Sequence, residues 1–390
     1  MKVLHIAPTP FFSNRGCHIR IRNEIEGVQQ RNIRVVLCTY HHGNDIAGID
    51  IRRIRSIPGY NKTDAGYSPY KFIADILLFF LVLKTVWKER PAVIHGHLHE
   101  GALLGWGASL LLFWRRIPLI MDMQGSMSGE LKSYGVFNSF PLLLKLFFSI
   151  EKFICRLPAF IVCSSENSLR FLRNECGIAD IPSSLLKDVV PDRFFVQEDR
   201  NTWQRRYGVP EGKRVVIYTG SLLPGKGIDY ILHAMHILLP RRKDLFFVFA
   251  GYPKDGVVKY VLEHDLTDHC LIPGEVSYNE LSGWLAVADL AIDPKLADSG
   301  EASGKILHYM ASGLPVVCFD LPNNRDFLGP AGYYADPGSA EGLAAAIGEA
   351  LDQPAIAIQN GKKGQQKIRM EYSLLAAGDQ LKKLYENLSE

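Results

Sequence analysis

The chain has 390 residues, of which 47% are apolar and 22% charged, with 34 glycines and 21 prolines; this ordinary globular usage excludes a disordered, collagenous or repeat-biased protein. That length exceeds what one hydrophobic core usually serves, so two domains are expected. The net charge of +3 conceals an asymmetry, +8 over residues 1–180 and −5 over 181–390, which suits either an anionic membrane surface beside the first half or a scattered solvated face; the basic residues are too dispersed for nucleic acid.

The opening Met1–Ala7 reads as a first strand rather than a secretory leader, and the odd, scattered set of seven cysteines without a CxxC pair predicts reduced thiols, neither a zinc site nor a disulfide framework. A cytoplasmic protein, peripheral on the inner face of the membrane, is expected. Short apolar runs at Val3–Ala7, Val35–Thr39, Val93–His95, Leu119–Met121 and Phe160–Cys163 alternate with helical-length segments, which predicts a doubly wound parallel sheet.

After the first strand comes Pro10 to Gly16 without GxGxxG, so a dinucleotide-dependent dehydrogenase is disfavoured. Arg15 and Gly16 precede a helix start, where an anion can approach; a turn glycine beside a solvent arginine is the plain alternative. Tyr67–Phe80 and Phe137–Arg156 combine apolar residues with Lys71, Lys145, Lys152 and Arg156, as core helices or as helices beside a lipid-linked acceptor. No apolar run approaches the ~20 residues that span a bilayer. PAVIHGHLHEG places His95, His97, His99 and Glu100 at and beyond a strand end, where ligands of open α/β sheets gather; HxH without a further ligand is a weak metal signal, and a buried core histidine is the competing reading.

Val190–Gly212, rich in charge and poor in apolar periodicity, reads as a connection. The strand-helix rhythm then restarts at Val215–Tyr218 and runs through Phe246–Phe249, Cys270–Ile272, Leu290–Ile292 and Pro315–Cys318, giving a second doubly wound domain. The expected boundaries are 1–190, 191–212, 213–363 and a helical tail 364–390 that packs on either domain. Gly220, Gly225 and Lys226 satisfy GxxxxGK, but Gly227 replaces the magnesium-holding hydroxyl of a P-loop, which disfavours an ATPase and leaves a metal-free diphosphate site, with a solvated lysine as the plain alternative. Farther on, Asp298 to Val317 reads as a polar turn with Glu301, a helix start at Gly304, Lys305 and Ile306, then His308 about one turn inside.

These residues, in order, resemble the family 4 retaining glycosyltransferases of the GT-B fold: Gly16, VIHGH ending at His97, Gly220 through Lys226-Gly227, Gly274 in LIPGEVSYNEL, ADLAIDP and YMASGLPVV. The resemblance implies two Rossmann-like domains facing across a cleft. It implies hexose transfer from a nucleoside-diphosphate sugar to a glycan or lipid-linked acceptor in cell-surface polysaccharide or glycolipid synthesis, without metal or cofactor. The leaving phosphate then takes the acceptor proton. Catalytic roles fall on His97, Lys226 and Glu301, donor binding on Gly16, Ser221, Gly304, Lys305, Ile306 and His308, and the acceptor side on Arg15, His99, Glu100 and Gln124.

Three departures stand against that pattern. Ser221 occupies the place of a common arginine, with Arg15 or Lys305 as substitutes; no register of E-x₇-E keeps both glutamates, since His308 or Tyr309 falls on the second; and Gln124 stands where relatives have histidine. They leave open a non-catalytic nucleotide-sugar-binding scaffold, and an epimerase or hydrolase of the same architecture.

Overall fold

Strands rich in Val, Ile and Leu bury both of their faces and need helices above and below them, which this chain supplies twice. The structure, a computed structural model, describes residues 1–13, 15–62, 68–129, 141–296 and 303–389. It divides into two units, Met1–Val189 with Leu374–Glu390, and Val190–Ser373.

In the first unit β1 (Lys2–Ala7), β2 (Arg34–Thr39), β3 (Asp50–Arg53), β4 (Val93–His97), β5 (Leu119–Met123), β6 (Phe160–Cys163) and β7 (Ser183–Leu185) form one parallel sheet, ordered β3-β2-β1-β4-β5-β6-β7. Between them run α1 (Gly16–Gln29), α2 (Tyr70–Glu89), α3 (Leu98–Leu111), α4 (Pro141–Ile154) and α5 (Glu166–Arg170). The step from β1 to β2 goes one way along the sheet, and the steps β3 to β4 to β5 to β6 go the other. Right-handed crossovers therefore put α1 on one face and α2, α3 and α4 side by side on the opposite face. The inward stripe of α2, Ala74, Leu78, Val82 and Val86, packs on Leu4, Ile6, Val36 and Ile94. Each Leu, Val or Ile side chain among them contributes about 1.5–3 kcal/mol on burial.

The second unit repeats the plan with β8 (Arg214–Thr219), β9 (Leu245–Ala250), β10 (Cys270–Gly274), β11 (Leu290–Asp293), β12 (Val316–Phe319) and β13 (Tyr333–Ala335), ordered β10-β9-β8-β11-β12-β13. Its helices are α6 (Arg200–Tyr207), α7 (Ile228–Leu238), α8 (Asp255–Glu263), α9 (Leu281–Ala286), α10 (Gly304–Ala311), α11 (Pro322–Leu328), α12 (Ala340–Asp352) and α13 (Pro354–Glu371). In each sheet the direction of winding reverses at one place, between β1 and β4 and between β8 and β11, and ligand crevices form at such switch points.

Two boundaries differ from the expectation. Residues 191–212 lie inside the second unit, where α6 starts on the Asp199 side chain, ends at Gly208 with φ +69°, and stacks Tyr207 on Trp284 at 3.7 Å. Aromatic packing holds this segment, so its charge-rich pattern was misleading. The tail is split as well: α13 stays with the second unit and α14 (Leu374–Ser389) joins the first, against α1. Glycines make that contact close, for a Cβ on Gly378 would stand 2.3 Å from the Gly27 carbonyl oxygen.

Candidate functional site

At the switch point of the second unit, β8 is followed by Gly220, whose φ of +114° suits glycine, and the chain turns through Ser221 and a 3-10 turn at Pro224–Lys226 into α7. The turn is packed backbone to backbone. A Cβ on Gly227 would stand 2.1 Å from the Pro294 carbonyl oxygen, and one on Gly251 would stand 1.7 Å from that of Gly220. Side chains are excluded here, which leaves amides and Lys226 to meet a ligand. Lys226 has no carboxylate partner among the described residues.

Lys305, one residue into α10, reaches back to the same turn. Its Nζ lies 3.2 Å from Asp293 Oδ1 at the end of β11, donates to the Tyr218 hydroxyl at 3.0 Å, and would stand 3.8 Å from a Cβ on Gly220. Burial alone would depress this ammonium, but the Asp293 charge and the Tyr218 hydroxyl outweigh it and hold its pKa above the ordinary lysine value. It stays cationic. Lys305 and the start of α10, where Ser303 supplies no side-chain cap, thus meet the turn that carries Lys226, which makes the end of β8 a candidate anion site.

Other expected donor residues are placed differently. Ile306 is buried, and its amide already bonds the Ser303 carbonyl at 3.0 Å, so only Gly304 and Lys305 keep amides at the helix start. His308 is packed rather than open: Nδ1 donates to the Gly304 carbonyl at 3.0 Å, Nε2 accepts from the Tyr278 hydroxyl at 2.8 Å, and Phe194 stands edge-on at 4.7 Å. Burial lowers its pKa to about 4, so it is neutral at pH 7. Glu301 lies outside the described residues.

In the first unit the sheet interior below the switch point carries a chain of polar groups. His97 Nδ1 donates to Asp122 Oδ2 at 2.9 Å and its Nε2 accepts from His5 Nδ1 at 2.9 Å. The Tyr385 hydroxyl of α14 lies 3.3 Å from His5 Nε2 and 2.7 Å from His95 Nδ1. One set of tautomers accounts for these hydrogen bonds and leaves His95 Nε2 without a partner. Burial and the neighbouring imidazoles hold His5 and His95 well below the ordinary histidine value. Arg20 anchors the other end, 2.9 Å from Asp122 Oδ1 and 2.7 Å from Asp188 Oδ1. Burial pushes Asp122 up, but the Arg20 guanidinium and the His97 ring overcome this and keep it ionised. Burial and then the Asp122 charge push Glu24 well above the carboxylate range.

His97, expected as a catalytic group, is enclosed: it has no exposed surface and both ring nitrogens are engaged. Its burial follows from its place as the last residue of a strand with neighbours on both sides. Glu24, His95 and His97 bring ligand atoms within 4.8 Å of one another, but the Arg20 guanidinium, 3.0 Å from Glu24, already provides the cation there.

The acceptor-side residues surround the same strand ends. His99 is buried at 3.3 Å from Glu151, whose carboxylate accepts the Met127 and Ser128 amides at 2.7 and 3.1 Å and so shapes the loop after β5. Glu100 is paired with Lys71. Gln124, partly exposed, donates to Asp122 Oδ2 at 2.6 Å. Gly16 is exposed at the start of α1 with nothing within 4 Å of a Cβ position, and Arg15 is partly exposed beside it. The residues that sequence reasoning missed are Arg20, Glu24, Asp122 and Glu151. The signal was present in α1, where Arg20 and Glu24 sit four apart beside the apolar stripe Ile21, Ile25 and Val28.

Two doubly wound parallel-sheet units, each with one switch point, define the fold, and comparison with known proteins gives the family. Residues 15–185 match Glycosyltransferase Family 4, and residues 199–367 match Glycosyl transferases group 1. The chain belongs to the family 4-like glycosyltransferases of GT-B fold. It is similar to the alpha-D-kanosaminyltransferase of Streptomyces kanamyceticus, 28% identical over 315 residues that cover 78% of this chain and 80% of that one. Its fold is that of the sucrose-phosphate synthase of Thermosynechococcus elongatus, with a TM-score of 0.81 at 18% identity over 99% of this chain and 98% of that one. Anabaena HepE, solved in complex with UDP-glucose, gives a TM-score of 0.74 at 15% identity, covering 99% and 100% of the two chains.

Proposed function

We propose that this glycosyltransferase moves a hexose from a nucleoside-diphosphate sugar, with retention of configuration and without a metal ion or other cofactor, to a glycan or lipid-linked acceptor of cell-surface polysaccharide or glycolipid synthesis. The observation that carries the donor reading is the pair Lys226 and Lys305 at one glycine-lined turn. Lys305 takes the place of the positive charge missing at Ser221, and Asp293 with Tyr218 fixes its direction. The diphosphate lies against these lysines and the Gly304 and Lys305 amides. The HepE complex with UDP-glucose supports a uridine donor as the first to try.

In the step itself the bond from the anomeric carbon to the diphosphate oxygen breaks, the acceptor oxygen bonds that carbon on the same face, and its proton passes to the departing phosphate. The lysines stabilise the charge that develops on the diphosphate. The first unit presents Arg15, Gly16 and Gln124 at its strand ends to the acceptor, with His97 and Asp122 holding Gln124 from beneath.

The test is incubation with UDP-, GDP- and ADP-hexoses and a lipid extract, following released nucleoside diphosphate and the anomeric proton of the product. Release coupled to an α-linked product from an α-donor is expected. An inverted product would contradict retention, binding without release would favour the scaffold reading, and release without acceptor would favour a hydrolase.

A further inference from the structure

The helices on one face of the first sheet leave apolar side chains in solvent. On α2, Phe72, Ile76 and Phe80 recur every fourth residue, Trp87 follows seven after Phe80, and all four lie opposite the buried stripe. Phe72 is 72% exposed and Phe80 60%. On α4, Leu142, Leu146, Ile150 and Phe153 form a second exposed stripe, with Leu142 at 78%. Between them α3 ends in Leu110 and Leu111 and a 3-10 turn, Phe113–Arg115, whose Phe113 and Trp114 are exposed as well. The three helices share one layer, so the stripes form one face. Arg115 joins two of its parts by donating to the Val86 carbonyl at 2.9 Å and lying 4.8 Å over the Trp87 ring. Contiguous apolar surface on this scale marks an interaction site.

Charge selects the occupant. Lys84, Lys88, Arg116, Lys145 and Arg156 fringe the face and have no carboxylate partner among the described residues. Every carboxylate of the three helices is turned elsewhere: Asp75 accepts from Tyr40, Glu89 binds Lys2 and Arg52, Glu100 binds Lys71, and Glu151 accepts from Met127 and Ser128. A second copy docking face to face would bring two basic rims together. Aromatic and leucine stripes with a cationic fringe match the interface of an anionic bilayer, where rings sit at headgroup depth and lysines meet phosphates. No described helix is long and apolar enough to cross a membrane.

We propose that the face formed by α2, the end of α3 and α4 is a docking surface for an anionic lipid bilayer, with Phe80, Trp87 and Trp114 inserting between headgroups. A groove of about 390 Å³ beside Phe80, Trp87 and Leu111, edged by Lys84 and Lys88, gives an acyl chain and its phosphate a place at this surface. The inference deepens the lipid-linked acceptor reading and rests on it only for the acceptor's nature. Vesicle binding is read without turnover, so either can fail alone.

The experiment is co-sedimentation of the full chain with phosphatidylcholine vesicles, with and without an equal part of phosphatidylglycerol, together with tryptophan fluorescence. Binding to the anionic vesicles that weakens with salt, with a blue shift from Trp87 and Trp114, is expected. The F80S/W87S/W114S variant should lower partitioning about tenfold or more, and K84E/K88E should weaken binding while leaving the apolar stripe and circular dichroism unchanged. No binding by the unaltered protein, or binding that both variants leave intact, would overturn the proposal. So would a protein dimer that the triple variant dissociates and vesicles do not compete with, since the occupant would then be a second copy.

Discussion

At the scale of single residues, the two units use buried charge in different ways. In the second, Lys305 is fixed by Asp293 and Tyr218 while Lys226 remains available to a ligand. Lys226→Ala should therefore lower nucleoside diphosphate affinity about tenfold or more, since charge-assisted bonds to phosphate contribute ~1.5–3 kcal/mol; isothermal titration checks this. In the first, Arg20 is the cation of a closed network, and Arg20→Met should cost about 3–5 kcal/mol in urea unfolding because Asp122 is left buried and unpaired. His308 predicts a pH effect. Its folded pKa of about 4 lies below the unfolded value of 6.5, so the unfolded state binds more protons between these pH values, and stability is complete above pH 6.5 and lost as pH falls towards 4. His308→Gln should flatten part of that acid limb in unfolding curves measured across the range, whereas an unchanged limb would contradict the buried neutral ring.

At the scale of elements, the phosphate turn depends on the absence of side chains. Gly251→Ala, with its Cβ 1.7 Å from the Gly220 carbonyl oxygen, should displace the turn and reduce nucleotide binding without altering vesicle binding; titration of the variant with nucleoside diphosphates reads this directly. The sequence shows that turn because GxxxxGK between a buried strand and a helix is a local pattern. The central strands are legible for the same reason, being continuous apolar runs. Edge strands β3, β7 and β13 are not, since Asp50–Arg53 and Ser183–Leu185 are short and mostly polar and pair on one side only. His97 shows the limit for sites. Its position at a strand end is readable, but whether an imidazole faces solvent depends on His5, Asp122 and Tyr385, which lie 92, 25 and 288 residues away in sequence and meet it only through the sheet and α14.

At the scale of the whole molecule, the charge asymmetry has a structural meaning. The basic half carries the apolar helical face with its lysine fringe, and the acidic half nonetheless concentrates two lysines at one turn, where local field rather than net charge governs anion binding. The proposed function depends most on that turn being a metal-independent donor site. The most direct measurement is a thermal-shift titration against UDP, GDP, ADP and their hexose conjugates in EDTA, repeated with magnesium. One nucleotide series should raise the melting temperature equally in both, corresponding to ~2.7 kcal/mol at a ligand concentration of about 100 times Kd. No shift with any of them, or a shift that appears only with magnesium, would contradict it.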